Sequence, residues 1–234
     1  MLLALHPSAL FLTSALAAVI GAIMLTTVPA PRPSPRPFGL TFQRAWTAPL
    51  LVAVLALFQW GVIQTFVPIV AADLGLNPAL LFTADAICVL ASRIPSGWIA
   101  DRYGPWRLAI LGVVSMTLSP CVLLLPMTNG VLIAAGILNG VGAGLTLPPM
   151  LAQLSQRSDT QSRGTALAYF SVAFAIGVIG GASGGGLAYP LLGFHGLLVV
   201  GAALCVCGLG ALLADSGALG RVWRRQAVYI EDSR

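Results

Sequence analysis

Seven apolar runs divide the chain, separated by short stretches of proline, glycine and arginine. They cover approximately Ser8–Val28, Thr47–Ala71, Pro78–Trp98, Pro105–Leu125, Gly130–Leu151, Thr165–Tyr189 and Gly196–Ala214. A helix of roughly 20 apolar residues crosses the ~30 Å hydrocarbon core of a bilayer. Each run therefore predicts a transmembrane helix. The punctuation agrees: Asn77-Pro78 predicts an N-cap and a first-turn proline for the third run, Gly104-Pro105 opens the fourth in the same way, and Thr128-Asn129 caps the fifth. The first run lacks the marks of a cleaved leader. Met1–His6 carries no positive charge, and no small-residue cleavage site ends a short apolar core.

Composition strengthens the reading. The 234 residues are 58% hydrophobic and 8% charged, with a mean hydropathy of +0.93. A soluble domain carries about 25% charged residues, so this composition predicts an all-α membrane protein. The formal charge of +5 arises from 12 arginines, with no lysine, against 7 acids. Arg32, Arg36 and Arg44 follow run one, and Arg93, Arg102 and Arg107 flank the turn after run three. Arg157 and Arg163 follow run five; Arg221, Arg224, Arg225 and Arg234 follow run seven. All fall on one side, and the opposite connections Ala72–Asn77, Pro126–Asn129 and Pro190–His195 hold none. Positive loops stay cytoplasmic, so the N-terminus is expected outside and the C-terminus inside. The excess charge reads as loop charge, with no nucleic-acid partner. Cys88, Cys121, Cys205 and Cys207 all lie in apolar runs, which predicts neither a disulfide framework nor a metal site. No cofactor is expected.

An outside start without a leader predicts that the first helix derives from a later position in a longer protein. Pro29–Pro37 holds five prolines and two arginines and reads as a stiff, solvated linker. The expected organisation is a helix at 1–28, a cytoplasmic Pro/Arg-rich linker at 29–46, a six-helix bundle at 47–215 and a cytoplasmic basic tail at 216–234.

The charged turn Gly97-x3-Asp101-Arg102-x-Gly104-x2-Arg107 resembles the loop motif of the major facilitator superfamily, found between the second and third helices of a six-helix half. The approach Ser92–Gly97, the stretch Ala135–Gly144 and the segment opening with Arg163-Gly164-Thr165-Ala166 resemble the same family. Gly136 stands where the N-terminal half of that family usually has arginine, so the chain is similar to the C-terminal half preceded by one helix, equivalent to helix six. Two departures are visible. Pro105-Trp106 precede Arg107 where adjacent basic residues are usual, and Ala175-Ile176 stand where an aspartate is frequent.

The resemblance implies a transporter of a small organic molecule, proton-coupled export being the expectation, in the cytoplasmic membrane of a bacterium. One half holds one wall of the transport site, so a separate N-terminal half or a second copy is the expected partner beside lipid and substrate. Gly97, Asp101, Arg102, Gly104 and Arg107 would form a latch reaching the other half, with Gly97 and Gly104 allowing close approach and a tight reversal. Intramembrane polar groups are the substrate or proton candidates: Gln59, Trp60, Gln64, Asp85 and Asn139. Trp60 and Gln64 share a helix face. A carboxylate in the membrane costs ~2.5–3.5 kcal/mol on insertion scales, so Asp85 faces either a cavity, a partner or outer water. Gly136, Gly140 and Gly144, and Gly177, Gly181 and Gly185, repeat every four residues as packing stripes. Two other functions compete. Gly181-Ala182-Ser183-Gly184 resembles the serine motif of rhomboid intramembrane proteases, with His195 as the base, although 12 residues is a short separation for that family. A non-transporting seven-helix membrane protein is the third.

Overall fold

The computed structural model describes residues 7–26 and 42–232; at 216–232, at Asp101 and at several positions before Thr26 it describes the backbone alone. The expected linker up to residue 41 lies outside the described residues. The first unit contains α1 (Pro7–Thr26), apolar along its whole length.

The second unit begins with a 3₁₀ turn, Arg44–Trp46, leading into α2 (Thr47–Asp73). It continues through α3 (Ala79–Tyr103), α4 (Pro105–Leu123), α5 (Asn129–Gln156) and α6 (Arg163–Ile179). A π-helical turn at Gly180–Gly184 joins α6 to α7 (Gly185–Asp232). Among the described residues all regular structure is helical. Helix starts follow local chemistry. Val131 N–H donates to Thr128 Oγ1 at 3.2 Å, and Ala79 N–H donates to Asn77 Oδ1 at 3.1 Å with Pro78 itself in the cap position. Gly104 has φ 89°, which reverses the chain between α3 and α4, and Pro105 then opens α4.

Five stretches are long and apolar enough to cross a membrane: Arg44–Asp73, Ala79–Ala100, Pro105–Leu123, Asn129–Gln156 and Arg163–Asp215. The last has 53 residues and would extend ~80 Å if straight. It doubles back. Gly177 and Gly181 approach Val54 and Phe58 of α2, and Gly185 approaches Phe66, so this limb runs parallel to α2. Gly201 meets Gln59, and Gly208 meets Leu55, so the return limb runs antiparallel. The reversal occurs at one residue, Gly193 (φ 65°, ψ −179°). The six-residue connection read from Pro190–His195 is corrected: Pro190 and His195 are helical, and only Gly193 is not.

Helix α5 lies between α3 and α4. Along one side a Cβ on Gly136, Gly140 or Gly144 would strike Leu81 O, Asp85 O or Ser92 Oγ of α3. On the other, Gly112 of α4 and Gly142 of α5 face each other, and a Cβ on either would lie 2.8 Å from the carbonyl oxygen of the other. Ser115 Oγ donates to Leu138 O at 2.7 Å and Ser119 Oγ to Ala135 O at 2.9 Å across the same contact. Lipid tails are as apolar as leucine, so burial alone hardly drives these helices together; close contact and interhelical hydrogen bonds do.

The α3 and α5 helices run parallel, so Tyr103 and Gln156 share one end of the bundle with Arg44, Arg102, Arg107, Arg157 and Arg163. Trp46, Met150, Leu154, Phe170 and Leu212 form the apolar core at that end. Ile63, Phe66, Leu123, Leu132 and Leu197 form it at the other.

The glycine contacts make a prediction. Gly140→Val forces a side chain onto the α3 backbone and is expected to cost about 1–3 kcal/mol. Gly186→Ala, where a Cβ meets open space, is expected to be neutral or to stabilise by up to ~1 kcal/mol. Unfolding midpoints in detergent compare the two. Equal effects would remove close backbone contact as the basis of the α3–α5 pairing.

Candidate functional site

The polar residues inside the spanning helices fall into two groups. Asp85 and Asn139, 54 positions apart in sequence, meet at the α3–α5 contact. Asn139 Nδ2 donates to Asp85 Oδ1 at 2.8 Å, and both residues are buried, at 8% and 1% exposure. Gly140 brings them together: its missing side chain lets α5 rest on the carbonyl of Asp85 itself. Of the settings open to Asp85, the structure provides a protein partner. Asn139 Oδ1 has no partner among the described residues, so the pair retains acceptor capacity.

The second group lies between α2 and α7. Gln59 is 1% exposed, its Nε2 has no partner among the described residues, and the Cys205 thiol points at its Oε1 from 4.0 Å. Its stem packs against Gly201. Trp60 is half-buried with its ring 6.3 Å from that of Phe174 on α6, and Gln64 is half-buried. Gln59 therefore turns toward α7, while Trp60 contacts α6.

The charged turn has a definite geometry. The Arg102 guanidinium lies 5.6 Å from the Trp98 ring and 5.8 Å from Tyr103; that of Arg107 lies 5.3 Å from Trp106. Gly104 N–H closes α3 on Ala100 O at 2.9 Å. Gly97 is exposed and makes no close approach among the described residues. The side chain of Asp101 lies outside the described residues. Arg93, read above as flanking the turn, sits inside α3, ten residues before its end at Tyr103.

The structure adds a site that sequence reading missed. Arg157, at the end of α5, donates to Ala45 O at 3.1 Å, to Gln153 Oε1 at 3.3 Å and to Asp215 Oδ2 at 2.6 Å. One guanidinium thus ties together the approach to α2, the end of α5 and the return limb of α7. It makes the only ion pair among the described residues. Phe42, Trp46 and Tyr169 pack ring to ring beside it, with centroids 5.6–6.1 Å apart. The available signal was Asp215, a lone acid ending the last apolar run.

Ser183 and His195 are not brought together at one level of the bundle. Ser183 lies in the π turn beside the Phe58 level of α2, and His195 borders the Val70 and Leu74 level. No hydrogen bond joins them among the described residues, and the recorded partner of the His195 ring is Phe194 at 5.9 Å. That second region is an apolar pocket of about 290 Å³ at the arginine-poor end.

A sequence profile described as Major Facilitator Superfamily matches residues 49–224. An uncharacterized MFS-type transporter of Mycobacterium tuberculosis is 27% identical over 175 residues, covering 72% of this chain and 30% of that protein. A multidrug resistance protein B homolog of the same organism is 26% identical over 167 residues, 70% of this chain and 30% of that protein. A major facilitator superfamily multidrug transporter of Aspergillus fumigatus is 32% identical over 130 residues, 55% of this chain and 24% of that protein. The chain spans about a third or less of the length of the curated relatives it matches.

Two pairs can be weighed by double-mutant cycles. For Asp85→Asn with Asn139→Ala, a coupling on the order of 1 kcal/mol is expected, the range of interhelical hydrogen bonds in membranes. The Arg157–Asp215 pair is 14% and 25% exposed, between surface and buried cases, so Arg157→Ala is expected to cost about 1–3 kcal/mol. Adding Asp215→Asn should then cost little more. Additive losses in either cycle would show that the two side chains do not act together.

Proposed function

This chain belongs to the major facilitator superfamily, and from that membership we propose that it supplies one wall of a proton-coupled exporter of small organic molecules. It is an integral membrane protein of that transporter family. The proposed arrangement has seven crossings: α1, then α2 to α5, then the two limbs on either side of Gly193. The arginine-bearing end faces the cytoplasm, as the positive-inside rule directs, in the cytoplasmic membrane of a bacterium. The six crossings after the linker correspond to the C-terminal half of the family, α1 to its helix six.

The observation that carries the proposal is the buried Asp85–Asn139 pair inside a helix bundle of this family. An ionisable group in the membrane interior is a functional candidate by default. Asp85 is the proposed proton carrier, with Asn139 as the partner that holds it. Gln59, with a buried and unpartnered amide donor, and Trp60 and Gln64 beside it are the proposed substrate contacts. Export is supported by two relatives named as multidrug proteins. The turn Gly97–Arg107 is proposed as the latch, its Asp101 and arginines engaging the wall that this chain does not provide.

Alternating access rocks one half against another around a midplane site. Transport therefore requires the remainder of the assembly, whether from further sequence, a separate N-terminal half or a second copy. The test uses proteoliposomes with an imposed pH gradient and a fluorescent cationic dye as probe. The chain combined with an N-terminal half of a relative is expected to accumulate dye against its gradient, and the chain alone is not. Asp85→Asn should abolish gradient-driven accumulation and leave dye exchange intact. Accumulation by the monomeric chain alone would refute the pairing requirement; gradient-driven uptake by Asp85→Asn would refute the proton assignment.

A further inference from the structure

We propose that the pocket at the arginine-poor end of the bundle binds a flat, uncharged aromatic molecule of two fused rings, with a hydroxyl hydrogen-bonded to His195. The pocket holds about 290 Å³. Val70 and Leu74 at the end of α2, the stretch Leu123–Met127 at the end of α4, and Phe194 and His195 at the start of the return limb line it. Helix α7 packs against both α2 and α4, so the walls come from one packed group of helices. The pocket uses neither the outer face of α3 nor the charged turn, which the proposed latch commits to another wall. Leu123 and Phe194 form its floor, at 1% and 8% exposure, and belong to the apolar core with Ile63, Phe66 and Leu197. Leu74 and Leu125 form the rim, at 58% and 56%.

Size, shape and charge select the guest. The volume is about twice the ~150 Å³ of an apolar cavity that holds benzene, which suits two fused rings. The rings of Phe194 and His195 stand 5.9 Å apart at 74°, as two sides of a corner. A planar guest stacked on one ring turns its edge to the other, and these are the two arrangements that aromatic pairs prefer. Met127 adds a thioether, which packs favourably against rings. No charged side chain lines the pocket, so an ion on its floor would lose water without gaining a partner. Among the lining residues His195 alone carries a polar side chain. A neutral imidazole offers one donor and one acceptor, which matches a single hydroxyl on an otherwise apolar guest.

The test is equilibrium dialysis of the purified full chain in nonionic detergent, with protein-free micelles as the blank. The probes are 2-naphthol, naphthalene, 2-naphthalenesulfonate and decane. 2-Naphthol is expected to bind saturably at one per chain, and naphthalene about fivefold more weakly for want of one hydrogen bond. The sulfonate and decane are expected not to bind measurably. His195→Leu, at an exposed position, should keep the native unfolding midpoint and bind 2-naphthol and naphthalene equally. Val70→Trp fills the pocket and should abolish binding; Leu125→Trp at the exposed rim serves if the first variant does not fold. Absence of saturable binding, a hydroxyl preference that survives in His195→Leu, equal competition by decane, or unchanged binding in the filled variant would each overturn the proposal. So would loss of binding when the chain is combined with an N-terminal half of a relative, which would assign the pocket to the contact between the two walls.

Discussion

Everything in this bundle depends on how closely two helix backbones can approach. In water a core forms because apolar surface leaves the solvent; against lipid that gain is nearly absent, and contact distance decides which helices stay together. Here contact is made at glycine. Gly136, Gly140 and Gly144 seat α5 on α3, Gly142 seats it on α4, and Gly177 and Gly181 seat the sixth helix on α2. At Gly136, Gly140, Gly177 and Gly181 the nearest atom is a backbone oxygen, so a single added carbon there cannot be absorbed by a side-chain rotation. The same closeness lets Ser115 and Ser119 reach carbonyls on a neighbouring helix.

Polar chemistry is placed by that geometry. Asp85 reaches Asn139 because Gly140, the next residue on α5, rests on the Asp85 carbonyl. The pair and the packing contact are parts of one interface, so motion of α3 against α5 would change both. At the arginine-bearing end the logic differs. Arg157 spans three elements with its five donors, holding the return limb of α7 to α5 and to the approach to α2. Gln59 remains buried with a donor unmatched among the described residues, as do Trp46 and Gln153.

Much of the fold was legible because a membrane helix writes its length and ends into composition. Runs two to five coincide with α2 to α5 to within a few residues, and the caps at Thr128 and Gly104 lie where their chemistry predicts. The family was legible from one charged turn, since its spacing needs glycine and charge in a chain with only 8% charged residues. Pairing was not legible. Asp85 and Asn139 were each visible as costly, but composition does not say which run faces which. Arg157 was read as a topological anchor because its partner lies 58 positions away. The last connection was misread for a local reason: Pro190 and Gly193 look like a loop, yet proline is tolerated while glycine alone makes the turn.

That single-residue turn bears on how the chain is made. Two apolar limbs joined only by Gly193 leave no loop long enough for one to settle before the other arrives. They are expected to leave the translocation machinery together, as a helical hairpin already folded on itself. In the proposed topology this turn crosses the membrane; it carries no formal charge, and His195 is the nearest ionisable side chain. Concerted insertion of the last third of the bundle is the expected route, and a charge placed beside Gly193 is expected to burden synthesis before it touches the finished protein.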